Sequence, residues 1–440
     1  MHSRFIKISF WVLGSLTLLG CVAYWGLFVL PQNKINDVEA QMEAQGVPMR
    51  LVDLAPEAVP EELNAAPLYL EAYHLLESLT LEGENLFYYK TGYGVEKVGE
   101  ERLEGLLTLL ADPVYAQAMA LIDEATQLPY CQFDLNYHLE AHEIFVPHVT
   151  WLMGLSSLLH VQLEVKLERG DASELTNSLA RLNGLALRLG DEPITISQLV
   201  RIANIAIYTD ALAYALSMTE PSVEFLQEVQ RQLSRFPEEV IHSGWMTGER
   251  IFYLDYGQSG NYYDENGIGI TDIWDNSSSL SEGMMCLTAA LVPVWDKLYY
   301  YEHMLEVEST FAVPYAQIDW VQYEQRLAEV PDPFFFSADA LDMRQLLESM
   351  PKAKVKVQLA KVAVALHQIR LETGAFPDEL SEHTQLDLID PFVARPFQYE
   401  KTEEGFRLYS VGPNQTDDGG VKERKSRKDD LLWSYPYMKQ

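Results

Sequence analysis

His138 and His142 stand four positions apart in a stretch that also carries Glu140, Glu143 and His148. On a helix that spacing puts two imidazoles on one face, as a zinc site requires. The His-Glu-x-x-His order of metalloproteases is absent, and ordinary polar or capping histidines account for the same residues. Ser349-Met350-Pro351-Lys352 has the Ser-x-x-Lys spacing of penicillin-binding serine enzymes, but that chemistry needs its serine at a helix start and a Ser-Asp-Asn element that this chain lacks. Gly257-Gln258-Ser259-Gly260-Asn261 lacks the last glycine of a nucleophile elbow, and no phosphate-binding or dinucleotide-binding glycine loop occurs. Tyr256, Tyr262, Tyr263 and Trp274 alternate with Asp264, Glu265, Asn266 and Asp272. Flat apolar rings beside polar groups can stack on and hydrogen-bond sugars, and the same rings can equally pin a loop to the body beneath it. The three cysteines, Cys21, Cys131 and Cys286, form no CxxC pair. Cys131 and Cys286 either pair in an oxidising compartment or stay as two buried thiols.

These residues are carried on a chain of 440 residues with a net charge of −33 and 48% hydrophobic residues. The acid excess argues against nucleic acid as a partner, because that affinity begins with Lys and Arg neutralising phosphates. The apolar content is enough for a large core. No acid precedes Asp37, so the acidity belongs to everything after the N-terminal segment. That segment, Ile8 to Leu30, is uncharged and mostly apolar; as a helix it would be about 34 Å long, enough for a hydrocarbon layer of about 30 Å. Arg4 and Lys7 precede it and Asp37, Glu39 and Glu43 follow, which favours a cytoplasmic N-terminus and an inner-membrane, single-pass protein with its bulk in the periplasm or cell exterior. Leu18-Leu19-Gly20-Cys21 has the form of a lipoprotein box, although Val22 to Leu30 stay apolar after the cysteine. An uncleaved signal anchor, a lipoprotein acylated at Cys21 and ordinary cleavage are the three readings, and all export the remainder.

The fold class expected is mainly α: an N-terminal transmembrane helix, a large antiparallel helical array and a small C-terminal α+β module. Residues 1–7 form the cytoplasmic n-region, 8–30 the anchor, 31–60 a linker containing a short polar helix over 33–45, 61–336 the helical domain and 337–440 the last module. Leu152, Leu155, Leu159 and Leu163 form one helical stripe ending at Gly170. Asp171-Ala172-Ser173-Glu174 reads as a capping box for the next helix, whose stripe runs from Leu175 to Leu189. Residues 256–280, rich in Gly, Asn and Ser, read as a long loop, and Met284 to Trp295 as core. A helix capped by Ser337 is expected to stop at Pro351, and a strongly amphipathic one follows with Val355, Leu359, Val362, Leu366 and Ile369, closed by Gly374.

Beyond Lys352 the text runs Ala365-Leu366-His367-Gln368-Ile369-Arg370, Glu372-Thr373-Gly374-Ala375-Phe376-Pro377, Asp390-Pro391-Phe392, Pro396-Phe397-Gln398-Tyr399, Tyr409-Ser410-Val411-Gly412-Pro413-Asn414 and Asp429-Asp430-Leu431-Leu432-Trp433. In this order, over about 85 residues, it resembles the globular part of the major pseudopilin of type II secretion. The alternation in 396–400 and 406–411 independently predicts two antiparallel strands turning at Glu403-Glu404-Gly405. The resemblance implies a long helix on a small sheet and a calcium loop. Ser410, Asn414, Asp417, Asp418, Asp429 and Asp430 are the oxygen donors available for such an ion. The five basic residues of Lys422 to Lys428 oppose a cation there. Pseudopilins carry their membrane segment on this same helix, whereas here the apolar segment lies far upstream, so assembly into a pseudopilus is not expected. The whole layout, including Glu62-Leu63-Asn64-Ala65-Ala66-Pro67-Leu68-Tyr69, also resembles membrane-anchored bacterial envelope proteins of unassigned activity. The function expected is a non-enzymatic, membrane-anchored envelope scaffold whose last module contacts a protein partner. The alternatives are an extracytoplasmic hydrolase or sugar-binding protein using residues 256–280, and a secretion-system accessory.

Overall fold

The computed structural model describes residues 15–89 (without 16 and 82), 100–139, 143–237, 244–258, 297–329 (without 299), 343–380, 389–423 and 428–437. Among these the chain is mainly helical, with a small antiparallel sheet near the C-terminus. Residues 17–24 are helical, Trp25–Val29 make a π-helical turn, and α1 (Leu30–Ala44) follows without a break. The polar helix expected from residue 33 is thus the continuation of the apolar one: the π turn, with Leu30 N–H on the Trp25 carbonyl, carries the helix past Pro31. Its two halves differ. Leu18, Leu19, Val22, Tyr24 and Trp25 are more than half exposed, whereas Ile35 and Met42 are buried against Trp245, Met246 and Tyr301.

The body follows. α2 (Ala66–Ser78) packs on α4 (Pro113–Gln127), and a hairpin of β1 (Thr80–Leu81) and β2 (Glu84–Asn85) follows α2. α3 (Glu100–Leu110) meets α4 at a bend of 66°, where Pro113 opens the new helix and Asp112 accepts from Val114 N–H as its cap. α5 (Pro147–Glu168) ends at Gly170, as its stripe predicts: Gly170 takes φ +74° and the amides of Gly170 and Asp171 bond back to Leu167 and Lys166. The expected capping box does not form. Asp171 accepts instead from the amide and hydroxyl of Ser173, and Glu174 pairs with Lys166 at 2.6 Å, so α6 (Leu175–Ala186) starts without a side-chain cap. α7 (Thr195–Met218) is the helix whose length and apolarity would suit a membrane span, and 61% of that stretch is buried within the fold. α8 (Val223–Ser234), capped by Ser222, and α9 (Trp245–Gln258) precede helical residues 300–311 and α10 (Trp320–Glu329).

The helix expected to stop at Pro351 does not stop. α11 runs unbroken over Met343–Thr373 with Pro351 inside it. Leu346, Leu347 and Met350 are buried before the proline and Ala353, Val355 and Val357 after it. Burial of about 1.5–3 kcal/mol for each large side chain outweighs the roughly 3 kcal/mol that an interior proline costs. Ser337 lies outside the described residues, as do Met284 to Trp295. α11 lies against α7, α8 and the sheet, which explains why two stripes of it are buried. That sheet is β5 (Gln398–Lys401), β6 (Phe406–Ser410) and β9 (Leu431–Tyr435), antiparallel in the order β5-β6-β9. Short hairpins of β3 (Ile389–Asp390) with β4 (Arg395–Pro396) and of β7 (Lys422–Glu423) with β8 (Lys428–Asp429) flank it. Phe406, Leu408 and Trp433 enter the same core as Tyr69, Leu152, Leu212 and Leu359, while Trp245, Tyr301 and Met350 belong to a second one.

Candidate functional site

The loop between β6 and β9 gathers most of the oxygen donors expected around a cation. Gly412 takes φ +69° with Asp429 O so close that any side chain at this glycine would collide with it, which draws the loop back over the sheet. The Asp430 carboxylate is buried and accepts from the amides of Asp418 (3.1 Å) and Gly420 (2.7 Å). Asp417 accepts from Tyr409 O–H (3.1 Å) and Gly419 N–H (2.9 Å), Asn414 donates to Asp418 at 2.8 Å, and Ser410 Oγ accepts from Gly412 N–H. Arg407, on the outer face of the sheet, donates to the Gly419 carbonyl. Desolvation, reinforced by Asp418 and Asp417, pushes Asp430 up to about 6 against the pull of its backbone partners. The loop is therefore closed by its own amides. Among the described residues no group of three His, Cys, Asp or Glu side chains is placed to hold a metal ion.

The other expected residues are dispersed. Tyr256 lies in the last turn of α9 rather than in a loop; Tyr262, Tyr263 and Trp274 lie outside the described residues. His138 sits in a turn, where its amide bonds to Asn136 Oδ1, and not on a helix; His142 and Glu140 lie outside. Ser349 is in the interior of α11, not at a helix start, and the tripeptide Lys90-Thr91-Gly92, the other half of a serine-lysine signature, lies outside the described residues. Cys131 is a partly buried free thiol whose surroundings push it up to about 12, so it stays protonated; Cys286 lies outside.

A different constellation lies at the start of α7. His148 is stacked on Phe133, with ring centroids 4.3 Å apart, and its Nε2 stands 2.9 Å from the Glu192 carboxylate. Ser197 O–H donates to the same carboxylate at 2.5 Å, and Gln198 donates to the carbonyls of Leu189 and Glu192. All four side chains are buried. Ser197 is 0% exposed, so its hydroxyl is out of a substrate's reach, and the set ties α5, the turn before α7 and α7 itself together. One and two turns further along the same face come Arg201 and Asn204, also buried.

Arg201 opens onto a cavity of about 1070 Å³ between the turn after α6, α9, residues 308–318, the Pro351 turn of α11 and the β3–β4 hairpin. Leu187, Met246, Phe311, Ile318, Leu347 and Met350 make most of its wall apolar, and Asp191, Glu308 and Lys354 are its other charged groups. Burial lowers Arg201 to about 10, with Asp191 opposing the shift, so it remains a cation at neutral pH. Its walls come from five segments distant in sequence, so no local motif announces it. The one readable signal is the polar stripe Ser197, Arg201, Asn204 in an otherwise apolar helix. Comparison with known proteins finds no matching family model, no similar curated protein and no similar solved structure.

Proposed function

We propose that this chain is a single-pass, membrane-anchored envelope protein without catalytic activity, held by Ile8 to Leu30 with its N-terminus in the cytoplasm and its acidic body outside. The observation that carries this reading is the split character of the first helix: exposed apolar side chains over 18–25, then Ile35 and Met42 buried in the body. Large apolar side chains exposed in a row cost about 25 cal/mol per Å² in water and nothing in a lipid layer. The helix leaves that segment unbroken, so it would hold the body at a fixed orientation above the membrane rather than on a tether. The pseudopilin-like module, whose outer sheet face carries Glu400, Arg407, Tyr409 and the acidic loop, is the surface for a protein partner in this reading.

The test is fractionation with intact-mass measurement and protease accessibility in cells. A full-length chain that resists alkaline extraction from membranes, with its body cut only from the outer side, supports the anchor. A soluble protein, or a mature chain beginning at acylated Cys21, overturns it. Proximity labelling then separates the partners: envelope proteins support the scaffold, whereas secretion components would make the chain a secretion accessory.

A further inference from the structure

Among the described residues Arg201 is a buried cation with no counter-charge in contact with it. Its side chain is 5% exposed and has no hydrogen bond or ion pair with any described residue, and its Nε is buried without an acceptor. A buried guanidinium normally finds a carboxylate, because the cost of desolvating a cation is several kcal/mol. The other arginines of the interior all have acceptors: Arg181 pairs with Asp123 at 2.6 Å, Arg250 donates to Glu308 and the Pro48 carbonyl, and Arg188, without a carboxylate, donates to the Ala125 and Leu128 carbonyls. The position is also prepared for it. Gly190 lies beside the guanidinium, where a Cβ would come within 2.9 Å of Nη1, so the absence of a side chain leaves its room.

The charges around the cavity define the missing group. Glu308 is already neutralised by Arg250 at 3.1 Å. Asp191 is exposed and acts on Arg201 as a nearby charge, without an ion pair between them. Lys354, on α11, adds a second cation to the lining and has no ion pair among the described residues. Two cations against one exposed acid call for one negative charge. Most of the wall beyond them is Leu, Met, Phe, Ile and Pro, with Thr247, Tyr315 and Gln317 as its uncharged polar residues, and a small inorganic anion would leave that apolar part unfilled.

We propose that this cavity binds a single-tailed anionic amphiphile, its head group on Arg201 and its acyl chain along Met246, Phe311, Ile318, Leu347 and Met350. A carboxylate or a phosphate head would be taken in the same way, by two parallel N–H donors of the guanidinium. No bond is made or broken; the site is one of binding. It is independent of whether the first helix spans a membrane.

The experiment uses the full chain in lipid nanodiscs, irradiated with palmitic acid carrying a diazirine on its tail, with adducts mapped by mass spectrometry. Adducts on Met246, residues 311–318 and residues 347–350 are expected. Arg201→Met should reduce them roughly tenfold or more, the worth of a charge-assisted hydrogen bond. Should that variant not fold, competition on the wild-type chain decides: unlabelled palmitate or lysophosphatidate displaces the probe, and which of the two is stronger assigns the head group. Displacement by hexadecanol as strong as by palmitate, displacement by acetate alone, or adducts spread over the exposed surface and absent from the cavity would each overturn the proposal.

Discussion

Two buried ionisable side chains of the C-terminal unit respond to acid in opposite directions. His367, from α11, is enclosed by Phe376, Phe406 and Tyr435, with neither ring nitrogen hydrogen-bonded. Desolvation, helped by nearby Arg370, lowers it to about 3, while the unfolded chain titrates near 6.5. Between those values the unfolded state binds the extra proton, so stability is lost as the pH falls below about 6.5, by about 2 kcal/mol at pH 5. His367→Leu, close in volume and free of the orphaned nitrogens, is expected to melt higher than wild type at pH 5, with the gap narrowing at pH 8. An equal gain at both values would show packing and not protonation. Asp430 runs the other way. Raised to about 6, it makes the native state the better proton acceptor down to its unfolded value near 3.8, so its contribution to stability grows as the pH falls through 6. Asp430→Asn should remove that rise. Because the loop closes on its own amides, millimolar calcium is expected to leave the melting temperature of the wild-type chain unchanged, and a calcium-dependent upward shift would contradict the hydrogen bonding described for it.

At the level of elements, α11 is where local rules and packing compete most openly. Pro351 removes one backbone hydrogen bond and crowds the preceding turn, which costs about 3 kcal/mol, offset by about 0.4–1 kcal/mol from restricting the unfolded chain. Pro351→Ala is therefore expected to stabilise the protein by about 2–2.6 kcal/mol in thermal or denaturant unfolding, and a loss of stability would mean that the proline ring itself is needed for packing. The same competition explains what could be read in advance. The stripe Val355, Leu359, Val362, Leu366, the turn at Glu403-Glu404-Gly405 and the helix end at Gly170 are encoded within a few residues of themselves, and the structure has them. The run through Pro351, the unbroken first helix and the missing capping box depend on partners outside the local stretch, such as Trp245, which shares the second core with Leu347, or Lys166, which takes Glu174 from eight residues before it. The acidic loop was legible as a cluster of oxygens, but its hydrogen bonds to its own amides were not. Arg201 reads as an ordinary helical arginine, because only the tertiary fold shows that nothing pairs with it.

For the molecule as a whole, the question is how the acidic body of a chain of net charge −33 is held where the proposed anchor puts it, since such a surface is repelled by anionic lipid. The answer lies in the second core. Arg250, fully buried on α9, donates to Glu308 at 3.1 Å, to the Pro48 carbonyl at 3.0 Å and towards Met42 Sδ at 3.9 Å, so one side chain ties helical residues 300–311 to the end of α1. Tyr301 and Lys297 add bonds to Glu39 on the same helix. Removing one member of a buried pair leaves the other charge uncompensated, at a cost of about 3–5 kcal/mol. Arg250→Met should therefore loosen α1 from the body before it unfolds the rest, because α5, α6 and α7 pack in the other core, α7 touching the second one through Leu199 and Ile202. Hydrogen exchange on the full chain reads this directly: amides of residues 35–54 and 300–311 are expected to lose protection while those of α5 to α7 keep it. Equal loss across both regions would mean that the two cores unfold as one unit, and that the first helix is fixed to the body by the cooperativity of the whole fold rather than by this arginine.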